Sequence, residues 1–309
     1  MDKRLTRFLV SIVLISALSF SFLSAADTDP WYVGKRIASF SNSGLQNVKE
    51  SVVLDIQYKY LGKPFSDELF NELQGELYGL EHFLYFLADA RRTGEGDNEL
   101  QIAMTFYELP YIKTTTIEGN QGIKTKDITE VLLAKEGLFI DEQNIELSKQ
   151  KILALYQEKG YADAQVESEY VIDEATNTAD LKYIIRENQQ KRIGQIVFEG
   201  NEKLSSDMLS KQLSSKQVSY FNSGYYNPST IETDKQKIIT FYQSRGYIDA
   251  AITDVRTEDI STEDDTYTRL RVVFTIEEGE QWFFGGIEVE GNTVFSDEQF
   301  QSLISMRKG

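Results

Sequence analysis

A short phrase ending in Glu-Gly-Asn occurs three times in this 309-residue chain. Its copies close at Asn120, Asn201 and Asn292, which are 81 and 91 residues apart. A second phrase, in which Gly-Tyr is followed by Asp-Ala, begins at Gly160 and again at Gly246, 86 residues further on. Two unrelated phrases that recur in the same order at nearly the same period predict a tandem array of small domains. Such arrays usually bind partners along their length and rarely house one catalytic pocket.

The first 26 residues form a segment separate from the repeats. Three basic residues precede an apolar or small-residue run at positions 8–23, and Ser24 and Ala26 supply small residues at positions −3 and −1 of a cleavage site. This pattern is typical of a secretory signal peptide, so residues 1–26 are predicted to be cleaved and the chain to be exported. The alternative is an uncleaved N-terminal anchor, but the run is short for a membrane span of about 20 residues.

Composition narrows the range of possible functions further. A net charge of −17 opposes non-specific binding to nucleic acid and to anionic lipid. A hydrophobic content of 41% fits folded domains. Because the chain has no cysteine, it forms no disulfides and cannot be lipid-anchored through a cysteine after the signal.

Each repeat predicts the element order β-α-α-β-β. A short strand ends in the turn residues Gly119-Asn120, Gly200-Asn201 and Gly291-Asn292. A short helix follows, and then a longer helix whose apolar residues recur at helical spacing. The apolar residues of that second helix are Ile145, Ile152, Leu153 and Tyr156, and in the next repeat Ile231, Ile238, Ile239 and Tyr242. Gly160 and Gly246 suit the left-handed position that ends a helix, and two extended segments come after each of them.

The first repeat is more divergent. Its expected elements are a strand at Lys35–Phe40, helices at Val48–Tyr60 and Asp67–Tyr78, and a hairpin of His82–Arg91 with Leu100–Phe106. Four units are therefore expected, namely a divergent first unit at 30–109, a second at 110–189, a third at 190–280 and the start of a fourth at 281–309. The end inside a fourth unit indicates a fragment of a longer protein or a truncated gene.

A signal peptide followed by tandem βααββ units of about 80 residues resembles the POTRA domains of the BamA-type outer membrane assembly family. The resemblance rests on the ordered recurrence of Glu-Gly-Asn and of Gly-Tyr with Asp-Ala, and it is strongest over residues 111–309. It implies an α+β fold of tandem POTRA domains, each a three-stranded mixed sheet covered by two helices. It also implies a location at the periplasmic face of the outer membrane, next to a membrane β-barrel that this chain lacks. The implied partners are unfolded outer-membrane β-barrel proteins and accessory assembly lipoproteins.

Other relatives of this kind remain open as alternatives. Two-partner secretion transporters, which carry two such units, also resemble the chain. So do translocation-and-assembly proteins, which carry three. The start of a fourth unit at Phe284–Asn292 favours the BamA type. A cell-division protein with one unit behind an uncleaved anchor is the remaining alternative, and the repeat count argues against it.

In a βααββ unit of this family, the last strand lies in the middle of the sheet and the second strand lies at an edge. The candidate edges are Gln165–Ile172 and Ala251–Asp259. An edge strand leaves backbone groups unpaired, so an extended client can add to it with little demand on its side-chain sequence. The predicted partner-binding residues are Ala251, Ile252, Thr253, Asp254, Val255, Arg256, Thr257 and Glu258. The alternative is an ordinary solvated edge that its charges protect from self-pairing.

The remaining signals do not indicate an enzyme, a metal or a cofactor. His82 is the only histidine, so no Ser-His-Asp arrangement or histidine metal pair can be built on a second one. The acidic stretch at 262–266 lacks the glycine and spaced glutamate of a calcium loop. The aromatic group Tyr220, Phe221, Tyr225 and Tyr226 is expected to close one end of a core, with a partner-binding patch as the alternative.

Overall fold

The computed structural model describes residues 30–93 and 98–285. The expected signal peptide, residues 94–97 and most of the expected fourth unit, with Gly291 and Asn292, lie outside these residues. The described residues form three sheets of three strands, and two helices accompany each sheet.

Each unit contains the elements β-α-α-β-β in chain order. The first consists of β1 (Arg36–Ser43), α1 (Glu50–Gln57), α2 (Asp67–Tyr78), β2 (Phe83–Arg92) and β3 (Glu99–Glu108). The second consists of β4 (Tyr111–Glu118), α3 (Thr125–Val131), α4 (Glu142–Glu158), β5 (Gln165–Asp173) and β6 (Thr178–Arg186). The third consists of β7 (Lys191–Glu199), α5 (Ser206–Ser210), α6 (Pro228–Gln243), β8 (Ala251–Asp259) and β9 (Thr268–Glu277).

All three sheets have the same topology. The strand orders are β1-β3-β2, β4-β6-β5 and β7-β9-β8. In each sheet the first strand is parallel to the central strand, and the second strand is antiparallel to it. The expected α+β fold with a mixed three-stranded sheet is therefore confirmed, and the central position of the last strand agrees with the family resemblance.

The cores follow the predicted helical stripes. Ile152 and Tyr156 of α4, and Ile238 and Tyr242 of α6, are completely buried against their sheets. Apolar side chains at alternate positions of each central strand face the helices of the same unit; on β6 these are Leu181, Tyr183 and Ile185, which are all buried. Burying such side chains is the main favourable contribution to the folding of each unit.

A glutamate lies at the same point at the end of each central strand; Glu108 and Glu278 are buried, and Glu187 is half-buried. The Glu108 carboxylate accepts hydrogen bonds from the backbone N–H groups of Gln46 (2.8 Å), Asn47 (2.7 Å) and Val48 (3.0 Å). Glu278 accepts them in the same way from Glu202, Lys203 and Leu204, and Glu187 accepts them from Gln121 and Gly122. The glutamate thus satisfies the donors of the loop that leads from the first strand into the first helix.

The first helix departs from its expected bounds. Lys49 has an extended backbone, with φ −64° and ψ 131°, so α1 begins at Glu50 and not at Val48. At the other end α1 stops at Gln57, short of the expected Tyr60. α2 has the expected bounds.

In the second and third units a tyrosine also binds this carboxylate. The hydroxyl of Tyr156 donates to Glu187 (2.7 Å), and that of Tyr242 donates to Glu278 (2.8 Å). Burial raises the pKa of both phenols above the ordinary value, and the hydrogen bond to the carboxylate raises it further. The second helix and the loop before the first helix therefore both bind the carboxylate at the end of the central strand.

A glycine with positive φ allows the loop after the first strand to lie close to the central strand. Gly44, Gly119 and Gly200 have φ values of 82°, 86° and 83°. A Cβ built on any of them would overlap the backbone carbonyl oxygen two residues before this glutamate, on Phe106, Ile185 or Ile276. Glycine is therefore required at this turn both for its backbone conformation and for the space.

Replacing Gly44 by alanine should destabilise the first unit by about 3 kcal/mol. The left-handed conformation costs a non-glycine residue roughly 1–2 kcal/mol, and the methyl group would also have to displace the Phe106 carbonyl. Gly62→Ala is the matched control in the same unit, because Gly62 has φ 78° and open space around it, and about 1 kcal/mol is expected there. Urea unfolding followed by Trp31 fluorescence in a Trp282→Phe background measures both. Equal losses for the two variants would contradict the steric role of Gly44.

The third unit should lose stability at alkaline pH through Tyr242. The fold favours the neutral phenol, so its contribution is complete below the ordinary pKa of about 10 and is lost as the pH rises through the higher folded pKa. Tyr242→Phe should therefore cost about 1.5 kcal/mol at pH 8 and flatten the decline between pH 10 and 11.5. Urea unfolding followed by Trp282 fluorescence, in a Trp31→Phe background, is the measurement. Tyr220→Phe is the control, because Tyr220 is fully solvated; a flattened decline there would contradict the assignment.

Candidate functional site at the open sheet edges

In the described part of the chain, the second strand of each sheet forms an open edge, whereas the first strand is covered at its start. The outer side of the first strand bonds to the loop between the two helices: Ile112 exchanges hydrogen bonds with Gly137 and Leu138, at 3.0 and 2.7 Å. Ile37 and Ile193 make the equivalent bonds in their units. No strand of the described residues pairs with the outer side of β2, β5 or β8. These three strands are the places where an extended segment can add to a sheet.

β8, the predicted partner-binding strand, lies at such an edge in the third sheet. Ile252 and Val255 pack against the core, whereas Thr253, Asp254, Arg256 and Thr257 are exposed. A bulge between Ile252 and Asp254 explains why the two inward residues are three apart and not two. Ala251 and Glu258 near the strand ends are half-buried, so the strand presents mainly polar groups and backbone to solvent.

The charges of β8 are paired within their own sheet. Arg256 lies 2.8 Å from Glu199 of β7 and 3.3 Å from Glu258, and Glu258 lies 2.9 Å from Arg271 of β9. Hydrogen bonds from Arg271 and Arg256 hold the pKa of Glu258 below its usual range. This network lies on the solvent-exposed face of the sheet. Through it, Arg256 and Glu258 connect β8 to β7 and β9.

The edge strand of the first unit is apolar, which the sequence reasoning missed. Leu84, Tyr85 and Leu87 on β2 are exposed, and the Tyr85 ring stacks on exposed Tyr107 of β3 at 4.3 Å between centroids. We call these four residues the apolar edge. A usable signal was present, because residues 83–87 are all apolar or aromatic, where a strand with one solvated face would alternate. β5 is intermediate, with exposed Val171 and Ile172 beyond a Glu118–Lys182–Glu169 ion-pair group.

The second and third units hold the chain that follows them with the same contacts. The N–H of Lys191 donates to the carbonyl of Gly160 (2.7 Å), and the N–H of Trp282 donates to that of Gly246 (2.8 Å). Both glycines have positive φ, as expected at the end of a helix. The side chain of the incoming residue then meets an aspartate, as Lys191 Nζ lies 2.6 Å from Asp163, and Trp282 Nε1 lies 2.8 Å from Asp249.

The contact between the first and second units is different. The Asn177 side chain donates to the carbonyls of Glu108 and Leu109, and Asn47 donates to the carbonyls of Thr176 and Asn177. His82 lies one residue before β2 and stacks on Phe139 of the second unit, with ring centroids 4.4 Å apart. The only histidine of the chain therefore takes part in packing between units.

The turn residues and the aromatic group also have defined places. Asn120 and Asn201 each donate a side-chain hydrogen bond to the carbonyl three residues on, at Ile123 and Leu204, which closes the loop after the glycine. Tyr226 packs against the third core as expected. For Tyr220 and Phe221 the core-packing expectation is wrong, because both side chains project into solvent.

Residues 30–93 and 98–285 contain no group of three or more His, Cys, Asp or Glu side chains placed to hold a metal ion. None of the helices in these ranges has the length and apolar character needed to cross a membrane.

Comparison with known proteins identifies the repeats. A family model named POTRA, described as a surface antigen variable number repeat, matches residues 110–188 and 191–279, more than half of the chain. The chain belongs to the POTRA family. The matched segments contain the second and third sheets, and the divergent first unit precedes them.

The curated relatives of this POTRA chain are outer membrane assembly factors. A Treponema pallidum protein with the provisional name outer membrane protein assembly factor is 29% identical over 310 residues, covering 100% of this chain and 36% of that protein. The outer membrane protein assembly factor BamA of Nitratidesulfovibrio vulgaris is 22% identical, covering 88% of the chain and 34% of the relative. The chain thus spans about a third of the length of these relatives. The resemblance to BamA-type factors inferred from the repeated phrases is confirmed.

Solved structures of POTRA arrays are also similar to the chain. The crystal structure of Haemophilus influenzae BamA POTRA3-5 has a TM-score of 0.38 and 17% identity, covering 79% of this chain and 96% of the solved one.

Proposed function

We propose that this chain is the POTRA array of an outer-membrane β-barrel assembly protein, and that it binds unfolded barrel proteins at its open sheet edges. The observation that carries the proposal is the repetition of one open edge strand in three successive units of a POTRA chain. The names of its relatives, which are outer membrane assembly factors, support the same function. Accessory assembly lipoproteins are the second class of partner, and no catalytic step is involved.

The proposal includes a location and a domain plan. Residues 1–26 are a cleaved signal, and the array lies at the periplasmic face of the outer membrane beside a barrel encoded outside this chain. Its domains are POTRA 1 at 30–109, POTRA 2 at 110–189, POTRA 3 at 190–280 and the start of POTRA 4 at 281–309. Only two residues separate β3 from β4, and four separate β6 from β7, so short links between the first three domains support this plan.

Binding by strand addition fits what such clients share. Barrel precursors are extended and varied in sequence, and the backbone of an edge strand offers every one of them the same row of donors and acceptors. On β8, the ion pairs of Arg256 with Glu199 and Glu258 keep two of its charges on the sheet face. On β2 the apolar edge adds hydrophobic contact to the same backbone pairing.

A photo-crosslinking amino acid at Thr257 tests the predicted strand. The probe is a urea-unfolded outer-membrane barrel protein diluted onto the purified, exported chain. Adducts are expected with the crosslinker at Thr253 or Thr257, and they should persist in 0.5 M salt because backbone pairing is little affected by screening. The same label at Leu87 tests the apolar edge, and Leu147, exposed on helix α4, is the control position.

Two results would decide against parts of the proposal. No adduct at either Thr253 or Thr257 would remove β8 as a client-binding strand, and adducts at Leu87 alone would transfer the role to the first unit. An equal yield of adducts at Leu147 would show that the unfolded protein binds the chain non-specifically. An unfolded helical protein serves as the second control, because it lacks the alternating strands of a barrel.

A further inference from the structure

The loop between the helices of the third unit carries an insertion. In the first two units, the loop residues that hydrogen-bond to the buried isoleucine of the first strand are neighbours in sequence, as Gly137 and Leu138 are in the second unit. In the third unit the same two bonds come from Val218 and Gly224. Residues 219–223, Ser-Tyr-Phe-Asn-Ser, are therefore extra to the pattern that covers the start of the first strand.

The insertion folds as a tight projection, which we call the aromatic finger (residues 219–223). Ser219 and Asn222 exchange backbone hydrogen bonds at 2.9 and 3.2 Å, and the Asn222 side chain accepts a further backbone N–H at 2.8 Å. At the tip, the rings of Tyr220 and Phe221 are in edge-to-face contact, with centroids 4.9 Å apart. The loop is closed by its own hydrogen bonds, and it presents the two rings together.

The two rings of the finger are the most exposed large apolar side chains of residues 30–93 and 98–285. Tyr220 is 95% and Phe221 is 92% exposed, whereas the next in order, Val171, is 73% exposed. Aromatic side chains contribute strongly to an interface when they are covered. Two such rings that the fold itself leaves in water therefore indicate a partner outside the third unit.

The shape and polarity of the finger favour a lipid surface as this partner. Because both rings stand at a convex tip with nearly all of their surface in solvent, a partner has to surround them, and fluid lipid does so without a preformed pocket. The backbone bonds between Ser219 and Asn222 reduce the cost of taking the loop out of water, where unpaired backbone groups are penalised. Tyr220 combines an apolar ring with a polar hydroxyl, which is typical of side chains at a membrane–water boundary.

The charges near the finger also suit a lipid surface, unlike those of the chain as a whole. The net charge of −17 opposes contact between most of the chain and anionic lipid. Residues 209–230, however, include Lys211 and Lys216 and contain no aspartate or glutamate. Glu158 of the second unit lines the same cleft as Lys216 and offsets part of this charge. An approach to a bilayer with the finger in front therefore meets the least repulsion.

We infer that the aromatic finger inserts the rings of Tyr220 and Phe221 into the surface of a lipid bilayer. The rings lie at the level of the headgroups, and the lysines of the same loop add attraction to anionic lipids. Two rings make a weak contact by themselves. Under the proposed function, on which this step rests, a barrel holds the array beside the membrane, and such tethering lets a weak contact form.

Tip fluorescence on tethered vesicles tests the contact. Gly309→Cys gives the purified, exported chain one attachment point, because the chain has no cysteine, and couples it to a maleimide lipid in vesicles of phosphatidylethanolamine and phosphatidylglycerol. Trp31→Phe and Trp282→Phe remove both tryptophans, and Phe221→Trp places a single one at the tip. Brominated lipids in these vesicles should quench about half of its fluorescence, because tethering supplies the effective concentration that the barrel would give.

Ile248→Trp in the same tryptophan-free chain is the matched control. Ile248 is an apolar residue of the third unit that is 54% exposed but lies outside the finger, so tethering alone brings it to the vesicle in the same way. Adding Tyr220→Ala should lower the quenching at the tip about threefold, because one of the two inserted rings is lost. Lys211→Glu with Lys216→Glu should lower it on vesicles that contain phosphatidylglycerol, and not on neutral phosphatidylcholine vesicles.

Three results would overturn the inference. These are an unquenched tip, equal quenching at Ile248, and a blue shift that grows with chain concentration when no vesicles are present, because the finger would then pack against protein. The outcome is separate from client binding. Quenching at the tip without barrel-protein adducts at Thr257 would leave the lipid contact standing, whereas adducts without quenching would overturn the lipid contact alone.

Discussion

In each POTRA unit of this chain, one carboxylate at the end of the central strand holds the loop that enters the first helix. Glu108, Glu187 and Glu278 hold two or three backbone N–H groups of the loop that enters the first helix. A hydrogen bond to a charged group contributes about 1.5–3 kcal/mol, and a carboxylate buried without its donors would cost more than that. The glutamate therefore specifies which backbone segment lies over the strand, and the positive-φ glycine beside the same strand lets the loop approach closely enough.

Some parts of this arrangement could be predicted from the sequence, and others could not. The buried stripe that ends in Tyr156 or Tyr242 was predictable because its members are a helical turn or two apart. Gly160 and Gly246 were recognisable as helix ends for the same local reason. The role of Glu187 was missed because its donors at Gln121 and Gly122 lie more than 60 residues away in sequence. A signal did exist, since each of the three glutamates stands two residues after the last buried apolar residue of its strand.

The candidate site was predicted in part. The residues of β8 were assigned to an edge from the family resemblance, and they lie at an edge of the sheet. The pairing of Arg256 with Glu199 was not predictable, because it crosses the sheet between strands separated by two helices in sequence. The bulge at Thr253 was equally hidden, since it shifts the alternation by one residue without any glycine or proline to mark it. For Tyr220 and Phe221, core packing was expected from their place in a loop between helices. Only the bonds of Ile193 to Val218 and Gly224, where the other units use neighbouring residues, reveal that these two rings belong to an insertion.

The junctions bear on how an array of this kind can act. At the ends of the second and third units, Lys191 and Trp282 each make a backbone hydrogen bond to a glycine and a side-chain contact to an aspartate. The chain that leaves the unit is therefore held at two points. Between the first and second units, Asn47, Asn177 and the His82–Phe139 stack take over this task, and they leave an apolar cleft beside them. The unit with the apolar edge is thus also the unit joined by a distinct contact. Since the edge strands share one backbone geometry, their side chains and junctions are what can make one unit bind differently from the next.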